Sequence, residues 1–235
     1  MVRVILPRKL DQGRTIVIST VLLAIVVVLG GILLAGDRNP PFQGLDDAWQ
    51  AFMATLHTPF WDSLNVALNW TGYTGMLIFH ILLALALLIR RRPRSAAFSA
   101  VAGLTVMLLT QLLKWVIHRP RPLNAHVATD TYSYPSGHVS ATTAFVLVVA
   151  LLIGRAWAWI LAVGGMLAMM ISRIYLAAHW LTDVVGGACL AAAVVLLLWL
   201  ACQNICIVEN IDARRALEWR SRVARRERHA EQSVT

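Results

Sequence analysis

Charge is what this chain has least of. Asp, Glu, Lys and Arg make up 14% of its 235 residues and apolar types 58%, where soluble domains carry roughly a quarter and roughly half. That shortage excludes an ordinary water-soluble domain. Acidic residues are scarcer than basic ones, 12 against 21, and no nucleic-acid partner is read from the excess. Cysteine is nearly absent: Cys189, Cys202 and Cys206 fall in or just after the last apolar run. A structural disulfide is not expected, and zinc-type spacing is missing. Palmitoylation near the inner surface stands beside the simpler reading of free thiols as packing. Internal repeats and low-complexity segments are also lacking.

Long apolar runs are plentiful. Six lie at about 15–36, 71–89, 95–117, 138–154, 156–176 and 182–202, each near the roughly 17–25 residues that carry a helix across a bilayer. They are continuous rather than alternating, which favours helices over a barrel. The expected fold class is therefore all-α: a polytopic membrane protein, a bundle of six transmembrane helices. A short N-terminus, 1–14, precedes a membrane domain over 15–202, and a basic tail, 203–235, follows. No cleavable signal peptide is expected, since the first run is too long for one and Ala35-Gly36-Asp37 is a weak cleavage site.

The basic residues divide unevenly. If six helices alternate, sixteen fall on one side: Arg3, Arg8, Lys9, Arg14, Arg90, Arg91, Arg92, Arg94, Arg155 and the seven arginines from Arg214 to Arg228. The other side keeps Arg38, Lys114, Arg119, Arg121 and Arg173. The positive-inside rule then puts both termini in the cytoplasm. The tail reads as a solvated topology signal, and it also suits contact with anionic lipid heads.

Four outer cations, Lys114, Arg119, Arg121 and Arg173, cluster near the ends of the third and fifth runs, against the rule, so something else should keep them there. Lys114 and Arg121 are seven apart, two helical turns, and share a face if the helix continues; Pro120 and Pro122 break it nearby. Pro135-Ser136-Gly137-His138 then forms a turn feeding a helix N-terminus, where free N–H groups and the dipole favour an anion. Ser136 offers a hydroxyl, Gly137 lets the backbone come close, and His138 can donate a proton. In SRIYLAAHWLTD, 172–183, His179 and Asp183 are four apart on one helical face. A carboxylate on one ring nitrogen fixes the tautomer and leaves the other nitrogen to attack. Arg173 is another forked donor for phosphate oxygens. Cations, a helix N-terminus, a nucleophilic imidazole and a second histidine suit phosphoryl transfer. His179 attacks phosphorus, His138 protonates the leaving oxygen, and then, as base, activates the water that hydrolyses the phosphohistidine. Neither metal nor cofactor is called for, because arginine and lysine neutralise the charge.

Lys114-x6-Arg121-Pro122, Pro135-Ser136-Gly137-His138 and Ser172-Arg173-x5-His179-x3-Asp183 resemble, in order and at every signature position, the three motifs of the type 2 phosphatidic acid phosphatase family. The motifs span 114–183, and the six-helix plan extends the resemblance to about 15–202. The resemblance implies an active site at the outer membrane–water interface. It implies His179 as nucleophile, Asp183 as its orienting partner and His138 as general acid. It implies Lys114, Arg121, Arg173 and Ser136–Gly137 as phosphate binders. Vanadium haloperoxidases share these motifs, which implies vanadate as an inhibitor here. The implied partners are a lipid phosphate substrate and membrane lipids; oligomeric state is not read. Undecaprenyl diphosphate is the first choice of substrate, with phosphatidic acid or phosphatidylglycerol phosphate as the alternative. A lipid phosphotransferase and a non-catalytic binder are the other classes.

Other residues take plainer readings. His118 and Arg119 read as interfacial anchors, although His118, four after Lys114, is also placed to bond substrate. His126 reads as solvated, and His80 as a bonded group between helices. Asp130 and Tyr134 are candidates to shape the pocket. The stretch 45–56 puts Leu45, Ala48, Trp49, Phe52 and Leu56 on one face of an amphipathic helix at the outer surface, with a packing role preferred over lipid entry. Trp61, Trp70, Trp115 and Trp180 read as interfacial anchors. Gly164-Gly165 and Gly186-Gly187 read as places of close helix packing.

Overall fold

A computed structural model describes residues 9–36, 40–129 and 132–232, without the side chains of 73–74, 214–218 and 220–232. Arg3, Arg8, Arg38, Asp130 and the side chains of the tail arginines therefore lie outside the described residues. The described elements are all helical: α1 (Gln12–Ala35), α2 (Gln43–Ala54), α3 (Pro59–Trp70), α4 (Met76–Ile89), α5 (Pro93–Ile117), α6 (Gly137–Ile153), α7 (Ala156–Tyr175) and α8 (Leu181–Gln232). A π-helical turn, Thr71–Gly75, joins α3 to α4.

Local chemistry sets the boundaries. Asp11 caps α1 by accepting from the Arg14 N–H at 2.8 Å. Thr58 does the same for α3, with Pro59 in the first turn, where a missing N–H costs nothing. Two carboxyl oxygens of Glu209 receive the Arg94 and Ser95 N–H groups at the start of α5. The helix α6 stops at Gly154, whose φ of 67° is a left-handed conformation that glycine adopts without a Cβ penalty.

Among the described residues, four helices are long and apolar enough to cross a membrane: α1, α5, α7 and the Leu181–Ala213 part of α8. The helices α4 and α6 are apolar but shorter. Helix α8 is the hub, packing on α1, α5 and α6. The main core lies here, built from Phe98, Val106, Leu147, Leu151, Val195 and Trp199. Isoleucines, leucines and valines of α1, α4 and α5 face outward instead, the arrangement expected of helices solvated by lipid.

Small residues permit the closest approaches. A Cβ on Gly187 would lie 2.7 Å from the Ser136 carbonyl oxygen, and one on Gly186 2.5 Å from the Tyr134 ring. So the pair 186–187 does set close packing, between the start of α8 and the segment leading into α6. Gly164 has open space beside it and Gly165 makes only ordinary contact, so that second pair does not. His80 Nδ1 lies 3.3 Å from Ser99 Oγ, joining α4 to α5 as expected.

Helix α2 overturns one expectation. Leu45, Ala48, Trp49, Phe52 and Leu56 do share a face, but it is exposed, while Asp46 and Met53 are buried. The opposite face, with Asp46, Gln50 and Met53, packs on the protein, where the polar side chains find partners and Met53 joins the core.

Candidate active site

The three motif segments meet at one end of the bundle. Helix α5 ends at Ile117, and His118 takes the left-handed conformation, so Arg121 lies beyond the helix rather than two turns along it. Lys114 and Arg121 still converge, since Lys114 Nζ and Arg121 Nη2 both donate to the Tyr132 carbonyl. The segment 133–136 enters α6 through buried residues. Ser136 stands at the N-cap position without capping by its side chain; its Oγ is buried and has no hydrogen-bond partner among the described residues. The N–H of Ser136 is spent on the Asp183 carbonyl at 3.1 Å. The N–H groups of the first turn of α6 have no partner within the helix.

The turn between α7 and α8 carries the histidine. Ala177 is left-handed, and the N–H groups of Ala178 and His179 both reach the Arg173 carbonyl. His179 is 1% exposed. Its Nε2 lies 3.0 Å from Arg121 Nη1. A guanidinium can only donate, so Nε2 presents its lone pair and the ring proton sits on Nδ1. That nitrogen faces Asp183 Oδ2 at 3.5 Å. Burial, then Arg121, Lys114, Arg173 and His138, push the His179 pKa well below its usual value. The ring is held neutral, as a nucleophile requires.

Asp183 is fully buried. Oδ2 accepts the Trp180 N–H at 2.9 Å, reaching back over the first turn of α8 as the third residue of a capping box does. Oδ1 accepts from Arg119 Nη1 at 2.6 Å.

His138 Nε2 lies 3.1 Å from the Asn69 carbonyl, which only accepts, so the proton is on Nε2. Asn69 Oδ1 takes Arg173 Nη1 at 2.5 Å. One residue thus holds both His138 and Arg173. It sits just before the π-helical turn, where the i→i−4 ladder is interrupted and carbonyls become available. Gly72 in that turn lets His138 and Met169 approach, since a Cβ would meet each at under 3 Å.

The structure therefore brings together His179, Asp183, His138, Lys114, Arg121, Ser136, Gly137 and Arg173. Sequence reasoning missed Asn69 and Asp46, and it misread Arg119. Arg119 is 4% exposed and pairs with two buried carboxylates; it is not an interfacial anchor, because the charge is satisfied inside. Tyr134 underlies the site, donating to the Val26 carbonyl at 2.9 Å, and burial raises its pKa. His118 and His126 are exposed, the latter near the His57 ring. His57 in turn bonds Asp62, which also accepts from Tyr175.

Comparison with known proteins places this chain in a family. The model of the PAP2 superfamily matches residues 95–205, a stretch that holds every motif residue. An undecaprenyl-diphosphatase of Sulfolobus acidocaldarius is 33% identical over 111 residues, 43% of this chain and 52% of that protein. The chain thus matches about half the length of that relative. A decaprenylphosphoryl-5-phosphoribose phosphatase of Mycobacterium tuberculosis is 35% identical over 125 residues, 51% of this chain and 67% of that one. Among solved structures, a transmembrane PAP2-type phosphatidylglycerolphosphate phosphatase from Bacillus subtilis superposes with a TM-score of 0.71, over 80% of this chain and 96% of that chain, at 21% identity. This membrane protein belongs to the PAP2 superfamily.

Proposed function

We propose that the chain is a lipid phosphatase that hydrolyses a lipid phosphate or diphosphate through a phosphohistidine. The carrying observation is Arg121 Nη1 seated on the lone pair of His179 Nε2: the attacking atom and a phosphate-binding cation already share one point. An arriving phosphoryl group takes up Arg121 as a ligand and exposes Nε2 to phosphorus. Lys114, Arg121 and Arg173, with Ser136 Oγ and the first-turn amides from Gly137, stabilise the charge on the equatorial oxygens. The P–N bond to His179 forms as the P–O bond to the lipid breaks. His138, as the imidazolium, gives its Nδ1 proton to the leaving oxygen and keeps Nε2–H on the Asn69 carbonyl. Asp183 stabilises the cationic ring. Water, deprotonated by His138, then makes a P–O bond and releases His179. No step uses a metal, because three cations occupy its electrostatic role.

The lipid part has a place. A cavity of about 510 Å³ runs between α4, α5 and α6. It is lined by His80, Ala84, Gly103 and Thr110 and, in the first turn of α6, by Gly137 and Ser140. An alkyl or prenyl chain lying there keeps its phosphate at the helix N-terminus. The chain crosses the cytoplasmic membrane six times, through α1, α4, α5, α6, α7 and α8. Both termini are cytoplasmic and the site is on the outer face, as the arginine distribution supports. The phosphatase domain spans 15–202, between the N-terminus and the basic tail. Undecaprenyl diphosphate is the preferred substrate, supported by polyprenyl substrates in the names of two relatives. A phosphatidylglycerophosphatase B of Bacillus subtilis, 26% identical over 167 residues, favours the glycerolipid alternative.

The test is phosphate release by the purified protein in detergent with EDTA. Undecaprenyl diphosphate, phosphatidic acid and phosphatidylglycerol phosphate are offered in parallel, with His179→Ala as control. Release that survives EDTA and vanishes in the variant is expected. A strict magnesium requirement would overturn the metal-free scheme. Release only when an acceptor alcohol is present would make the protein a phosphotransferase.

A further inference from the structure

Behind the proposed nucleophile lies a buried charge network that this chemistry leaves unused. Arg119 Nη1 donates to Asp183 Oδ1 and, at 2.7 Å, to Thr182 Oγ1. Its Nη2 donates to Asp46 Oδ2 at 2.6 Å and to Gln43 Oε1 at 3.2 Å. Asp46 also accepts the N–H and the hydroxyl of Thr182, at 2.9 and 2.8 Å. The guanidinium carbon lies over the rings of Phe42 and Trp180, 5.6 and 5.5 Å from their centroids. Both carboxylates are fully buried.

Two carboxylates buried on one donor group need its positive charge, since neither has water to offset its own. A guanidinium keeps its charge and offers a rigid fork, so it can serve both at fixed angles. Holding Asp183 Oδ1 fixes rotation of that carboxyl group and leaves Oδ2 aimed at His179 Nδ1. The donors of Arg119 point away from the phosphate place, toward α2 and the first turn of α8. Helix α2 holds the same turn a second way, since Gln50 Nε2 donates to the His179 carbonyl at 2.8 Å.

We propose that Arg119, seated by Asp46 of α2, is a positioning residue: it fixes Asp183 against His179 and acts on turnover through that pair, without touching the phosphate. The proposal rests on His179 being the nucleophile.

Wild type, His179→Ala, Arg119→Met, Arg119→Lys and Asp46→Asn are compared as full-length proteins in one detergent. Arg119→Met is expected to lose about 100-fold or more in kcat with KM within about threefold. Arg119→Lys recovers only part, because one ammonium cannot fork to two carboxylates. The acid limb of kcat/KM separates positioning from mere folding. The groups around His179 are Lys114, Arg121, Arg173, His138 and Asp183, with Asp46 and Arg119 behind. Without Arg119 a positive charge behind His179 is lost, so the ring takes up a proton more readily and the limb moves to higher pH. Asp46→Asn removes a negative charge from the same place and moves it the other way. A raised KM with kcat retained would make Arg119 a phosphate ligand and overturn the proposal; so would unchanged limbs. Should Arg119→Met fail to elute as a folded species, the limbs of Arg119→Lys and Asp46→Asn decide. An inactive wild type, or an active His179→Ala, sinks the phosphatase reading itself. A His179-dependent enzyme indifferent to Arg119 sinks only this inference.

Discussion

The two ends of the bundle use the same device for different purposes. At the end away from the site, Glu209 of α8 is buried at the N-terminus of α5. It accepts the Arg94 and Ser95 N–H groups and the Ser95 hydroxyl at 2.7–2.9 Å. At the site end, Asp183 is buried at the N-terminus of α8 and accepts the Trp180 N–H. Both carboxylates sit where the helix dipole favours negative charge. Glu209 spends both oxygens on the cap, so its role ends there. Asp183 has the same cap bond, and in addition faces His179 and is held by Arg119. A buried charge in a membrane bundle is thus no mark of function by itself. The mark is convergence of such groups on one place, here ringed by Ser136 Oγ, His179 Nε2 and the arginines.

That contrast can be broken by experiment. His179→Ala should abolish phosphate release, a loss of about 10⁴-fold or more, since the proposed nucleophile is gone; the melting temperature should barely move. Measurable turnover near wild type would remove the site end's claim. Asp183→Asn keeps the volume and a carbonyl for the Trp180 N–H but loses the charge that supports the imidazolium. A fall in kcat of about 10²–10⁴-fold is expected, read by steady-state kinetics.

A pH profile sharpens the site end further. Burial and the surrounding cations hold His179 well below its usual range, so the free enzyme keeps a neutral ring as pH falls through about 6.5. The acid limb of kcat/KM, corrected for ionisation of the substrate phosphate, should lie below that value. Bound phosphate brings negative charge, favours the protonated ring and moves the limb of kcat upward. A kcat/KM limb at or above the ordinary histidine value would contradict the burial argument. At the far end, Glu209→Gln should leave turnover unchanged and cost about 1–3 kcal/mol of stability, as a charged cap with several buried donors is weakened. A lower melting temperature with intact kcat is the expected pair of results.

Much of the site was legible because its residues lie in short segments with chemical logic. His179 and Asp183 are one helical turn apart, and Pro135-Ser136-Gly137-His138 announces a helix start beside apolar sequence. Arg119 was misread for a reason that spacing cannot cure: its partner Asp46 lies in another helix, far back in the chain. Asp46 was passed over because the amphipathic pattern of 45–56 drew attention to the apolar face, and in a membrane protein that face looks outward. Asn69 gave no signal, since its role comes from the backbone geometry of a π-helical turn.

By itself, the sequence determined that this is an all-helical membrane chain with cations, two histidines and a carboxylate gathered at helix ends. Apolar run length and local motif chemistry are enough for that, because both act over a few turns of one helix. Only the tertiary structure decided which nitrogen of His179 carries the proton, that Asn69 joins His138 to Arg173, and that α2 holds the turn of His179 through Asp46 and Arg119. Those depend on distances between helices, which are set by packing at places such as Gly187 and Gly72 and by the need of buried charges to find partners.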